Sequence, residues 1–529
     1  MTRIDTKKGA LNIGISITFK FVLLIGNIFA RRFLIQAIGN EINGLNSLYL
    51  SIIDVLSVAE LGVGTAISYC MYKPIVEGDN NKVSALYNLF TKIYLIIGVI
   101  ILVSGFAVMP ALPYLSKQYQ AEGINLYFTF ALMLVSVVLS YLFSSKTSLI
   151  NAYKNNYITT IIASSGQLFQ YATQIIVLLF TRSFVWFLVC RIASMILQWL
   201  FTELIARKKY GYIIKNKQFV DDITKNEVLK NAKAMFMHKI GSVLVNAADS
   251  IIISSFIGLV ILGKYSNYTT IMLAMVGVIT LFFSPLTSVV GHLIVQNDPQ
   301  AVEKCFNFFH LFNFILGTVF FLGYYAIIDN LINLCFGKGL LLSKAVSFVI
   351  TINYFIQFMR QAALLFRDAT GTFYYDRWKP LCEGIVNVVL SILFVCVFPD
   401  EYKVVGVIVA TIITNLFICH SVEPHVLYKY AFHSRVRSYY IRNYIYMGIF
   451  IALLIAMHFV MISNENQWVE LFANGAISLA FSFILCAIAI LGNKEFRQFI
   501  KRNIVHIKNH KTNEQLIESK KSDDDTSLF

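Results

Sequence analysis

Long apolar runs follow one another along the whole chain, broken by short polar stretches. A helix rises about 1.5 Å per residue, so roughly 20 apolar residues cross the ~30 Å hydrocarbon core of a bilayer. On that measure the pattern predicts about fourteen spanning helices, at 11–38, 45–72, 84–109, 124–145, 157–180, 184–206, 232–257, 262–290, 303–328, 341–366, 379–398, 404–420, 441–462 and 470–491. The apolar run after MTRIDTKKGA is too long for the hydrophobic segment of a signal peptide, and no small-residue cleavage site precedes Arg31 and Arg32, so it is expected to stay as the first span. The longest polar stretches are 207–231 and the tail from Gly492, whose closing KKSDDDTSLF is too polar to pack a core.

Composition places the chain firmly in one class. It is 57% hydrophobic and only 14% charged, with mean hydropathy +0.67, where soluble domains are about a quarter charged. The predicted fold class is therefore an all-α integral membrane protein. A net charge of +15 would suggest nucleic acid in a soluble protein. Here the basic residues collect in alternate loops, including Lys7 and Lys8, Lys73 and Lys82, Lys146 and Lys154, Arg207 to Lys209, and the tail from Lys494. That is the positive-inside bias of a multi-pass protein with both termini on the cytoplasmic side, and no nucleic-acid partner is expected. The eight cysteines are scattered singly without a CxxC, and no His pair stands at i,i+4, so neither a disulfide framework nor a metal site is expected.

Sliding the chain by 219 positions aligns Lys20 with Lys239, Asn27 with Asn246, Gly39 with Gly258, Gly44 with Gly263, Ser47 with Ser266 and Tyr49 with Tyr268. The matched glycines flank a short turn in each copy, GNEING and GLVILG. Six spans separate the copies, so they run in the same direction, an arrangement that transporters use to build an alternating-access cleft. The expected organisation is an N-terminal lobe at 1–210, an inter-lobe loop at 211–231, a C-terminal lobe at 232–430, two further helices at 431–491 and a cytoplasmic tail at 492–529.

Two stretches resemble a known family. RRFLIQAIGNEINGLNSLYLSIIDVLSVAELGVGTAISYCMYKPIVEGD and HKIGSVLVNAADSIIISSFIGLVILGKYSNY are similar to the lobe starts of polysaccharide repeat-unit flippases, within the multidrug/oligosaccharidyl-lipid/polysaccharide exporter superfamily. The resemblance implies two pseudo-symmetric six-helix lobes around a central cavity plus two C-terminal helices. It implies translocation of an undecaprenyl-diphosphate-linked oligosaccharide, for capsule or another surface polysaccharide, from the inner to the outer leaflet of a bacterial cytoplasmic membrane. A lipid II flippase and a multidrug/cation antiporter of the same superfamily stay open as alternatives. A membrane glycosyltransferase or polymerase would need catalytic carboxylates or histidines on a sizeable outer loop. The outer connections here are short, as at Arg182–Ser183, and no enzyme is expected.

Charge inside the spans supplies the candidate chemistry, because ionised side chains in hydrocarbon are costly and mark function by default. Seven cations, Lys20, Arg31, Arg32, Lys92, Arg191, Lys239 and Arg360, face four acids, Asp54, Glu60, Glu203 and Asp249. The excess is positive, as an anionic passenger requires. Lys20, Asn27 and Arg31 share one face of the first span, and Lys239 and Asn246 repeat the stripe in the seventh; with Arg360 these are the expected substrate-binding residues. Lys92 and Arg191 stand near enough to span ends to snorkel, and Tyr49 and Tyr268 are candidates for stacking on sugars. Asp249, aligned with Ala30, is expected to close an outer gate by pairing with Arg31 or Arg32. Structural pairing of Asp54 with those arginines and of Glu60 with Lys20 is the competing reading. No cofactor is expected beyond a coupling Na+ or H+. The expected partners are the lipid-linked anionic oligosaccharide, membrane lipid and other polysaccharide-assembly proteins.

Overall fold

The computed structural model describes residues 3–60, 63–117, 119, 124–220, 241, 243–245, 247–283, 290–291, 294 and 298–492. Helices account for nearly all of it: α1 Arg3–Ile38, α2 Asn40–Leu56, α3 Val63–Glu77, α4 Asn80–Val108, α5 Leu126–Ala152, α6 Asn156–Thr181 and α7 Phe184–Ile214. They continue with α8 Val243–Ile257, α9 Leu259–Phe283, α10 Pro299–Cys335, α11 Lys344–Met359, α12 Gln361–Thr370, α13 Lys379–Val397, α14 Lys403–Thr414, α15 Arg437–Val460 and α16 Gln467–Gly492. Among the described residues there is no strand, and twelve helical segments are long and apolar enough to cross a membrane. The chain is a multi-pass, all-α membrane protein.

Two expected spans account for the difference from fourteen. The second is broken: α2 ends in a 3-10 turn at Ser57–Glu60, where polar Ser57 and Glu60 interrupt the apolar run, and α3 starts afresh at Val63. The seventh lies partly outside the described residues and is seen only from Gly241 onward.

Contacts group the chain into two compact units, one of Met1–Ser284, Ile328–Asn353 and Thr372–Val426, the other of Pro285–Ile327, Tyr354–Gly371 and Leu427–Phe529. In the second unit, rings from four helical segments surround Phe306, with Phe366, Phe432 and Tyr439 at centroid distances of 5.3, 5.3 and 5.6 Å. Buried His310 meets the amide oxygen of Asn443 at 3.1 Å, tying α10 to α15.

In the first unit α1 packs on α6, α6 on α7, α5 on both α4 and α7, α13 on α14, and α2 on α9. Lipid tails are as apolar as leucine, so helices in a bilayer associate through close backbone approach at small residues and through hydrogen bonds. Gly166 shows both: a Cβ there would lie 2.4 Å from Gln198 Cγ, and its carbonyl accepts a 2.7 Å bond from Ser194 Oγ. Gly26 likewise makes room for the ring of Tyr171, which an added Cβ would meet at 2.8 Å.

The α2–α9 crossing is the tightest of these and joins the two sequence repeats. A Cβ on Gly44 would lie 2.0 Å from the Leu259 carbonyl oxygen, and one on Gly263 would lie 2.4 Å from that of Asn40. Asn40 and Leu259, like Gly44 and Gly263, stand 219 positions apart in the sequence, so each copy offers the same two positions to the other. That reciprocity defines a two-fold contact. The turns before the crossing also match. Gly39 has φ 105° and ψ 162°, and Gly258 has φ 125° and ψ 168°, a region open essentially to glycine alone. The duplication read from the sequence is thus present in backbone geometry.

Because the crossing leaves no room for a side chain, Gly44→Ala and Gly263→Ala should each lower the thermal unfolding midpoint of the purified protein, costing about 1–3 kcal/mol. Gly448→Ala, with nothing within 4 Å of the added methyl, should leave it unchanged or raise it. Equal responses from all three variants would refute the close contact.

Candidate functional site

Where α1, α2, α6 and α7 meet, the first unit forms a half-open cavity of about 140 Å³. Arg31 comes from α1 and Arg191 from α7; Asn27, Asn43, Asn46, Gln170, Tyr171 and Gln174 complete the polar lining, and no carboxylate is part of it. Local packing sets these positions. The Gln174 amide donates to the Phe187 carbonyl at 3.1 Å, which locks α6 to α7 beside Arg191. Tyr171, seated against Gly26, lies within electrostatic range of both guanidinium groups. Two cations and a set of amides in a walled cavity suit an anion carrying hydrogen-bond acceptors.

Arg31 also reaches across to the second repeat. Its Nη1 donates to Ser266 Oγ at 3.0 Å and to Asn267 Oδ1 at 3.2 Å. Arg32 donates to the Leu334 carbonyl at 2.7 Å, capping the last turn of α10. Asn40 Nδ2 donates to the Val260 carbonyl at 2.8 Å, Asn43 Nδ2 to the Gly263 carbonyl and to Asn267 Oδ1 at 3.1 Å each, and Lys117 Nζ to the Ile257 carbonyl at 3.1 Å. Ser255 Oγ returns one bond, to the Leu115 carbonyl at 3.3 Å. The two copies are joined here by hydrogen bonds to carbonyls, a hydroxyl and an amide.

The pairing expected of Asp249 with Arg31 or Arg32 is not made in this structure. Both arginines do contact the second repeat, yet neither meets Asp249. Asp249 is buried and accepts from Thr411 Oγ1 at 3.2 and 3.3 Å through its two carboxylate oxygens, while Asn387 Nδ2 donates to Thr411 Oγ1 at 2.9 Å. The physical reason is azimuth. Asp249 aligns with Ala30, which is turned into its own repeat and lines the arginine cavity; one residue on, a helix has turned by about 100°, and that step aims Arg31 at the other copy. Asp249 accordingly faces α13 and α14 of its own repeat. The Asn387 side-chain oxygen and the Ser391 hydroxyl, one helical turn apart on α13, are buried there without a hydrogen-bond partner.

The structural pairing expected of Asp54 with Arg31 or Arg32 is absent, and the acid is exposed and lies in electrostatic range of Arg191 instead. Lys20 is exposed on α1, outside the cavity, with no carboxylate within 4 Å among the described residues. Lys239 and Asn246 lie outside the described residues. Arg360 belongs to the second unit, at the break between α11 and α12. Lys92 rests over the ring of Phe219, 5.1 Å from its centroid. Tyr49 and Tyr268 are fully buried, bonded through their hydroxyls to the Leu126 carbonyl and to Asp329 Oδ1 at 2.9 and 2.7 Å, so neither offers a face to a sugar.

Reading the sequence counted Arg191 among the intramembrane cations but set it aside as able to snorkel, and it passed over the amides of α6. Gln170 and Gln174 stand at i,i+4 within an apolar span, a polar stripe of the kind that had been weighed on the first and seventh spans. Arg191 looked close enough to a helix end to reach water, and α6 prevents it by walling it in.

No protein-family model and no curated protein sequence matches the chain. Solved structures do. A lipid II flippase, MurJ, in an inward closed conformation superposes with a TM-score of 0.63 at 15% identity, covering 91% of this chain and 99% of that one. An inward-facing multidrug resistance MATE family transporter of the MOP superfamily gives a TM-score of 0.54 at 13% identity, covering 79% and 100%. The likeness is one of fold: this chain shares the helical arrangement of that flippase and that transporter. Within that fold this chain carries an arginine-lined cavity in its first repeat and a buried aspartate in its second.

If Asn43 and Asn267 touch as described, Asn43→Cys with Asn267→Cys, in a chain whose native cysteines are replaced by serine, will crosslink under mild oxidation. After cleavage at a protease site engineered into 211–231, the two fragments should stay joined. Asn43→Cys with Gly277→Cys, about 15 Å further along α9, should let them separate.

Proposed function

We propose that this chain is a transporter that flips an undecaprenyl-diphosphate-linked oligosaccharide, a repeat unit of capsule or another surface polysaccharide, from the inner to the outer leaflet of a bacterial cytoplasmic membrane by alternating access. The observation that carries the reading is the sign of the cavity lining: Arg31 and Arg191 among amides, with no carboxylate. A lipid-linked sugar presents a diphosphate, a polar glycan and a long apolar tail, and moving the first two through hydrocarbon unaided is prohibitive. Guanidinium groups offset the phosphate charge and the amides beside them donate to its oxygens, while the glycan and the tail lie outside this cavity. An exporter of cationic drugs would place carboxylates where these arginines stand. A lipid II flippase shares the same electrostatics and is separated by the test below.

Coupling is assigned to Asp249. Its carboxylate is buried and bonded to the Thr411 hydroxyl, to which Asn387 also donates, and a buried carboxylate is the kind of group that takes a proton or a hard cation. Na+ bound there, or H+ on the carboxylate, would let an ion gradient bias the two states.

Deleting the gene should cause complete lipid-linked repeat units to accumulate on the cytoplasmic side of the membrane. Accumulation of lipid II would shift the reading to that substrate, incomplete glycans would point to an enzyme, and unchanged lipid pools would sink it in favour of a drug exporter. In proteoliposomes at constant pH, translocation should rise with an imposed Na+ or H+ gradient. Asp249→Asn should remove that dependence, whereas gradient-independent flipping by the native protein would refute the assignment.

A further inference from the structure

Ala30 and Asp249 occupy equivalent positions, the first facing α6 and α7 and the second facing α13 and α14, which are the fifth and sixth spans of their respective copies. Asp249 is a buried carboxylate bonded to the Thr411 hydroxyl. Around Ala30 a cavity presents two guanidinium groups and side-chain amides. Equivalent positions in the fold thus stand among opposite charges in the two copies, and the lining around Ala30 suits an anion.

Size and donor geometry narrow its class. A half-open cavity of about 140 Å³ is well below the roughly 300 Å³ of sites that take drug-sized ligands, so it takes a small group and leaves any glycan or tail attached to that group outside. Arg191 Nε is buried and makes no hydrogen bond. Arg31 spends Nη1 on Ser266 and Asn267 and keeps further N–H groups for a ligand. Asp54, in electrostatic range of Arg191, is exposed and stands outside the lining, so one of the two guanidinium charges has no counter-ion in place. Guanidinium is planar and donates in pairs, which matches the oxygens of a phosphate better than a spherical ion.

We propose that this pocket is a binding site for a single phosphate group, held between Arg31 and Arg191, with Arg191 as a ligand-binding residue. The proposal deepens the reading of the chain as a carrier of a phosphate-bearing lipid. Two sources share the chemistry, the headgroup of that lipid and free inorganic phosphate.

The test uses the full-length protein purified in detergent, with radiolabelled inorganic phosphate as the probe and thermal unfolding as a second readout, at constant ionic strength. Saturable binding and a raised unfolding midpoint are expected for the native protein. Arg191→Gln should weaken phosphate binding by about tenfold or more, the loss of a charge-assisted pair, and Arg191→Lys by less. Asn27→Leu, which fills the cavity without altering its charge, should also weaken it, so the site stays testable if an Arg191 variant folds poorly. Displacement of the label by undecaprenyl phosphate would identify the lipid headgroup as the source; saturable binding that undecaprenyl phosphate leaves untouched would identify free phosphate. No saturable binding to the native protein, or equal stabilisation by chloride and phosphate in native and Arg191→Gln protein alike, would overturn the site. Neither result touches the lipid pools of the deletion strain, which judge the flippase reading separately.

Discussion

The backbone contact between α2 and α9 is the constraint on which the site depends. Gly44 and Gly263 let two helices approach to where a single methyl group would collide with a carbonyl. At that distance the asparagines of α2 reach main-chain carbonyls of α9, and the guanidinium of Arg31 reaches Ser266 and Asn267. Held there, Arg31 forms one wall of the cavity, while α6 and α7, tied together by the Gly166 contact and the Gln174 amide, carry Tyr171 and Arg191 to the other side. In a membrane such closeness is what drives helices together, since burying leucine against leucine gains little over burying it in lipid.

The chemistry of the contact suits a joint that opens and closes. The hydrogen bonds described between the two copies run to neutral acceptors, namely carbonyls, a hydroxyl and an amide. Hydrogen bonds inside membrane proteins are worth about 0.6 kcal/mol on average, whereas stranding one partner of a buried ion pair costs about 3–5 kcal/mol. A carboxylate–arginine gate would hold one state strongly; a row of weak bonds to neutral groups can be exchanged for water with little loss. The carboxylate that could have made such a pair, Asp249, is turned away into its own repeat, where it accepts from Thr411.

Much of this was legible in the sequence. Fourteen apolar runs set the class, and a shift of 219 positions found glycines, a serine and a tyrosine whose conformations and burial then matched in space. Arg31 and Asn27 were found because a polar stripe on an apolar helix is conspicuous. The break after Leu56 was missed because hydropathy averages over a window and does not register a local change in helical hydrogen bonding. Arg191 was set aside as able to snorkel because sequence gives a residue's depth along its helix and says little about which neighbour stands beside it.

The sequence by itself determined what periodicity and composition control: an all-α membrane protein, its duplication, and an excess of cations within its spans. These follow from length against bilayer thickness and from identity at a fixed spacing, and they need no partner. Only the tertiary structure decided which cations share a cavity, that Arg31 and Arg32 bind neutral acceptors, and that Asp249 faces Thr411. Those outcomes turn on azimuth, since a single step along a helix swings a side chain by about 100° and so selects a different neighbour, which nothing short of the packed helices can supply.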